Sequence, residues 1–171
     1  MELNEYILNK ARESGICEPW ADRISGAGNV EELLKMYVAG IDFCLEHNFP
    51  SNEDLVRLST KEQRLGHGII VDEQAVLNDP SFLVMLGKCE SELAYAGFST
   101  SQLFVKHESK AGIAVHGNAF LVIDCFDNSS IKVTATDNTK VLINVYGSSN
   151  VSRISTEGAT IKIINKLKST Y

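Results

Sequence analysis

The stretch L-V-I-D-C-F-D-N-S-S-I-K-V-T-A-T-D-N-T-K-V-L-I-N-V (Leu121 to Val145) repeats an apolar triplet on alternate residues every ten positions. Leu121, Ile131, Val141, Val151 and Ile161 fill one column, and Ile123, Val133, Ile143 and Ile163 the next. Cys125, Ala135 and Val145 make a third. Asp127-Asn128 and Asp137-Asn138 punctuate the triplets, as do Gly117-Asn118 before them and Ser149-Asn150 after. Alternation of this kind predicts strands with one face buried, joined at small polar turns.

The same parity extends back to Leu83. Leu83, Met85, Cys89, Leu93, Tyr95, Leu103, Val105, Ile113 and Val115 all fall on odd numbers. Two architectures fit: a two-sided parallel β-solenoid of about ten residues per strand, or an antiparallel meander or sandwich. The even positions favour the solenoid. Val84, Phe104, Val122 and Leu142 are apolar, whereas the strands between them carry Ala94, Ala114, Lys132 and Ser152. Coils of about twenty residues predict this, because strands one turn apart stack on the same side. Asn118, Asn128 and Asn138 would then align as a side-chain ladder. Arg153 breaks the rule on an inward position. An unpaired buried charge is costly, so a bulge near Ser152–Arg153 that turns Ile154 inward is expected.

Ahead of the repeat the period changes to that of helices. Leu3, Tyr6, Ile7 and Ala11 mark a first helix closed by Gly15. Glu18-Pro19-Trp20 opens a second. Asn29, with Glu32 three residues on, predicts a capping box for one helix reaching His47. Its stripe is Leu34, Tyr37, Val38, Ile41, Cys44 and Leu45. Ser51 starts another helix through Leu58, and Lys61 to Gly68 reads as the boundary. The expected organisation is α+β, with an acidic helical region at 1–65 packed on a solenoid domain at 66–171. Ile69-Ile70-Val71 and Val76-Leu77 are the first extended segments.

The chain has 171 residues and a net charge of −6, with a mean hydropathy of −0.05. Up to Leu65 there are 7 Lys/Arg against 12 Asp/Glu, and beyond it 9 against 10. An acidic helical half argues against phosphate-backbone binding, which needs clustered bases. No run has the length of a membrane span, and no basic segment followed by an apolar block opens the chain, so a cytoplasmic protein is expected. Cys17, Cys44, Cys89 and Cys125 show no C-x-x-C spacing and read as reduced thiols. The loop Ser25-Gly26-Ala27-Gly28-Asn29 lacks the Lys-Ser/Thr pair of a phosphate loop, and Glu31 and Glu32 would repel the anion.

Chemistry-bearing motifs are scarce. Among the four histidines none has ligand spacing, so neither a metal nor a cofactor is expected. His107 and His116, with Asp124 nearby, are the candidates for an acid/base cluster if adjacent strands bring them together. No G-x-S-x-G elbow is present, and the ten-residue period differs from that of acyltransferase helices, so the sequence leans away from an enzyme. The most regular solvent-facing strip is Lys132, Thr134, Thr136 and Ser152.

The segment V-E-E-L-L-K-M-Y-V-A-G-I-D-F-C-L-E-H-N-F-P-S-N-E (Val30 to Glu53), followed by decade repeats such as V-I-D-C-F-D-N-S-S-I-K-V (Val122 to Val133) and the ending K-S-T-Y, carries a resemblance. The chain resembles small uncharacterised proteins of gut anaerobic bacteria and their phages or other mobile elements. That resemblance implies a host protein or a second phage component as partner and assigns no catalytic residue. Three functions follow as expectations. The first is a non-enzymatic binding or scaffold protein with a protein partner and the Lys132 strip as its surface, where self-association is also open. The second is a small-molecule or carbohydrate-acting enzyme with a cleft between helices and solenoid. The third is an acidic decoy of a nucleic-acid-binding protein.

Overall fold

The computed structural model describes residues 3–156 and 158–171. The chain divides into two compact units, one reaching to His67 and the other running from Gly68 to Thr170. This lies two residues beyond the boundary expected from composition.

Among the described residues the first unit has six α-helices: α1 (Leu3–Glu13), α2 (Glu18–Ser25), α3 (Val30–Ala39), α4 (Ile41–His47), α5 (Asn52–Leu58) and α6 (Lys61–Gly66). Side-chain caps start three of them. Asn29, Ser51 and Thr60 accept from the backbone N–H groups of Glu32, Asp54 and Gln63. Such caps satisfy donors that the first turn of a helix leaves free. The expected return bond from Glu32 goes instead to the Gly28 N–H, at 2.7 Å.

The long helix expected from Asn29 to His47 is two helices. Gly40 (φ −110°, ψ 31°) breaks it, while its apolar stripe continues across the break through buried Leu34, Tyr37, Cys44 and Leu45. A period-3.6 pattern shows the shared face and is blind to one glycine dihedral. The segment Lys61 to Gly68 contains the division between the units, and its first six residues form a helix with a complete Thr60/Gln63 capping box.

The second unit is a parallel β-solenoid. Strands β1 (Ile69–Val71), β3 (Phe82–Leu86), β5 (Thr100–Val105), β7 (Phe120–Cys125), β9 (Lys140–Val145) and β11 (Thr160–Asn165) stack in order as one sheet. Strands β2 (Gln74–Asn78), β4 (Glu90–Tyr95), β6 (Lys110–Val115), β8 (Ser130–Ala135) and β10 (Asn150–Ser155) form the other. Each chain step from one strand to the next crosses to the opposite sheet. Register is twenty residues per turn from β3 onward, as in Leu121↔Val141 and Ile131↔Val151. The first turn is shorter, since Ile69 pairs with Val84 and Gln74 with Glu90.

Odd-numbered side chains of both sheets meet between them. Leu83, Met85, Tyr95, Leu103, Leu121, Ile123, Val133 and Ile143 are sealed from solvent, with Cys89 and Cys125. The apolar even positions resolve into two neighbouring columns of the six-stranded sheet. Val84 pairs with Phe104, and Val122 with Leu142.

The corners correct one expectation. Their ladder is carried by aspartates and main chain rather than by asparagine side chains. Asp127 and Asp137 accept from the N–H groups of His107 and Gly117 one turn below, at 3.1 and 2.8 Å. Asn118, Asn128 and Asn138 contribute their backbone N–H groups to the carbonyls of Gly97, His107 and Gly117. Positive φ falls on the residue before each asparagine: Gly117 (71°), Asp127 (57°) and Asp137 (58°). At Gly117 the turns touch so closely that a Cβ would lie 2.9 Å from the Gly97 nitrogen.

The bulge expected at Ser152–Arg153 is also absent. β10 keeps continuous register with β8, Arg153 opposite Val133 and Ile154 opposite Thr134. In this last coil Arg153 is exposed and donates to the Ile161 carbonyl at 3.0 Å, and Ile154 remains 54% exposed. A charge on the inward parity costs little where no further coil encloses it.

Candidate interaction surface and a cavity

The solenoid presents two unlike outer faces, set by its even-numbered side chains. On the six-stranded sheet Val84, Phe104, Asp124 and Asn144 form a buried column, and the Asn144 Nδ2–H donates to Asp124 Oδ1 at 2.6 Å. On the five-stranded sheet the corresponding columns face solvent. Register aligns Glu92, Gly112, Lys132 and Ser152 in one and Ala94, Ala114, Thr134 and Ile154 in the next. Val76, at the start of the first of these, is 78% exposed.

This brings three of the four strip residues onto one face. Lys132 and Thr134 lie on β8 and Ser152 beside Lys132 on β10. Thr136 sits just past the end of β8, where it shares a 2.9 Å hydrogen bond with His116 Nδ1. The middle of the face is low, because Gly112, Ala94 and Ala114 project little. A Cβ on Gly112 would fall on the Glu92 carboxylate, so the Glu92 side chain lies across that gap. Glu90 and Lys110 approach to 3.9 Å nearby. The result is a flat lattice of mixed charge and small side chains, suited to contact over an area rather than to chemistry at a point.

The histidine cluster does not assemble. His107 lies at the corner after β5 and His116 at the corner after β6, so the full length of strand β6 separates them. Asp124 is on the outer face of the six-stranded sheet, held by Asn144. His107 adopts a φ of 62° and its Nδ1 accepts from the Gly87 N–H at 2.9 Å. Burial and the neighbouring Lys106 depress its pKa, against the opposing pull of Asp127 and Asp72. A ring nitrogen committed as an acceptor in a turn is a poor proton shuttle. His67 pairs with Glu31 at 2.6 Å, and this bond holds the Glu31 carboxyl below its ordinary value.

All four thiols are free; Cys17 is exposed and the other three are buried. Among the described residues no group of three His, Cys, Asp or Glu could hold a metal ion, and no helix is long and apolar enough to cross a membrane.

The helical unit holds a cavity that the sequence did not disclose. It measures about 350 Å³ and is lined by residues from all of α1 to α5, including Trp20, Tyr37, Phe43 and Phe49. Its walls are scattered over Ile7 to Ser59, so no local spacing marks them. Comparison with known proteins adds no relative: no protein-family model, no curated protein and no solved structure matches the chain.

Proposed function

We infer that the protein is a non-enzymatic binding or scaffold protein whose solenoid offers the outer face of its five-stranded sheet to a protein partner. Its setting in this reading is the bacterial cytoplasm, and its gene belongs to a gut anaerobe, a phage or another mobile element. The observation that carries the reading is the contrast between the two outer faces. The six-stranded sheet buries one even-numbered column, Val84, Phe104, Asp124 and Asn144, whereas the five-stranded sheet buries none and leaves Glu92, Lys132, Ser152 and Ile154 in solvent on a continuous parallel lattice. Consecutive strands hold those side chains at a fixed spacing of about 4.8 Å. A partner therefore meets a preorganised surface and loses little entropy in ordering it. The separation of His107, His116 and Asp124 removes the support that an acid/base reading had.

Affinity capture from the native host tests this, with a Lys132→Glu/Ser152→Glu variant beside the unaltered chain. The expected result is a partner retained by the unaltered protein and lost by the variant, with both solenoids equally folded by circular dichroism. Retention of the same partner by both would exclude the strip as the contact surface.

A further inference from the structure

We propose that the cavity of the helical unit is a binding site for an uncharged, ring-containing apolar small molecule. The cavity opens to solvent on one side, and its volume of about 350 Å³ falls within the roughly 300–1,000 Å³ of small-molecule pockets. Water would find few hydrogen-bonding partners along such a wall, so an apolar guest displaces it readily.

The lining selects the guest's chemistry. Trp20, Tyr37, Phe43 and Phe49 offer ring faces and edges, and Phe43 and Phe49 already meet edge to face at 6.1 Å. A planar ring gains offset or perpendicular contacts in such a setting beyond simple burial. Met36 adds a polarizable, adaptable wall.

Charge is excluded from both directions. Asp54 is the one carboxylate in the lining, and its oxygens already accept from the Tyr6 hydroxyl (2.8 Å), Ser51 Oγ (2.9 Å) and Arg57 (3.1 Å). It therefore offers no free counter-charge to a cation. Burial raises the Tyr37 hydroxyl well above its usual pKa and the Cys44 thiol to about 12, so both stay neutral. The surrounding helices are acidic, 12 Asp/Glu against 7 Lys/Arg up to Leu65. Although the Arg23 guanidinium stacks on Trp20 at 4.3 Å, that net field disfavours an anionic ligand such as a fatty acid.

Two built-in reporters make the site testable. Trp20 is the only tryptophan of the chain, and Cys17, also in the lining, is the only exposed thiol of the four. The full chain is titrated with N-phenyl-1-naphthylamine, a neutral aromatic dye that brightens in apolar surroundings. Saturable one-to-one binding is expected, with energy transfer from Trp20 and several-fold slower modification of Cys17 by a thiol reagent. Laurate at the same concentration should displace less than about a tenth of the dye.

Gly40 supplies the blocking variant. A Cβ there meets Trp20 Cη2 at 3.7 Å and the Met36 carbonyl at 3.4 Å, and its φ of −110° suits any residue. Gly40→Leu should plug the cavity and weaken the dye at least tenfold while helicity is retained. The Cys17 protection assay on the unaltered chain decides the matter even if that variant misfolds. Absence of saturable binding, or dye bound without protecting Cys17, would overturn the site. Equal displacement by laurate would overturn the neutral class. A concentration-dependent dimer that expels the dye would assign the cavity to a second copy of the chain, against the proposal.

Discussion

A lysine ammonium held almost out of water needs a fixed counter-charge, and Lys106 has one in Asp127. The Lys106 side chain is 4% exposed, its Nζ lies 3.1 Å from Asp127 Oδ2, and it also sits over the Phe126 ring at 5.4 Å. Asp127→Asn keeps a side-chain oxygen for the His107 N–H and tolerates the positive φ, so it isolates the charge. Asp127 is itself one-third exposed, which softens the loss. Urea denaturation should register a cost of about 1–3 kcal/mol, largely recovered by adding Lys106→Met. A second residue-level expectation concerns thiols. Burial raises Cys44 and Cys125 from 9.0 to about 12. Above pH 9 the unfolded chain releases those protons and the native one keeps them, so stability is full below pH 9 and falls as pH rises toward 12. Each thiol contributes a slope of at most about 1.4 kcal/mol per pH unit. Guanidinium midpoints measured from pH 8 to 10.5 should fall, and less steeply in a Cys44→Ala/Cys125→Ala double variant.

Elements differ in how plainly the sequence announces them. The strands were legible because Leu121, Ile123 and Cys125, and their equivalents every ten residues, are all buried by one geometric cause, the period-2 pleat. Corners were legible in place but not in mechanism. Asp and Asn both suit such turns, and only the stacking of one turn on the next shows that Asp127 and Asp137 make the side-chain bonds. The helix α6 went unseen because six residues carry too little periodicity, although Thr60 and Gln63 form the signature of its start. That signature has a measurable consequence. Thr60→Ala removes the acceptor for the Gln63 N–H and should lower stability by about 1 kcal/mol, read as a fall in the urea midpoint at unchanged slope. That Lys132, Thr134 and Ser152 share one outer face was legible because they share parity, whereas Thr136, of the same parity, lies past the end of β8. Neither the Gly40 break nor the cavity was legible, since one is a single dihedral and the other draws on five helices.

At the scale of the molecule, a solenoid is a stack in which each coil touches only its neighbours, so its stability is graded along the axis. The middle coils are sealed, with Leu121, Ile123 and Ile143 fully buried, while at the last coil the inward Ile163 is 37% exposed and Val151 and Ile161 are only half-buried. Ile143 and Ile163 make the comparison clean. They occupy the same column of the same sheet, directly paired, and differ only in having a coil beyond them. Ile143→Ala leaves a hole that its enclosed surroundings cannot fill and should cost about 2–5 kcal/mol. Ile163→Ala removes a side chain already part hydrated and should cost under about 1 kcal/mol. Amide exchange gives an independent reading of the same gradient. Backbone groups of β7 bond to strands on both sides, whereas those of β11 bond to β9 alone. The amides of β11 should therefore exchange first and those of β7 last. Equal exchange in β7 and β11, together with equal costs for the two alanine variants, would mean that the solenoid unfolds as one indivisible block.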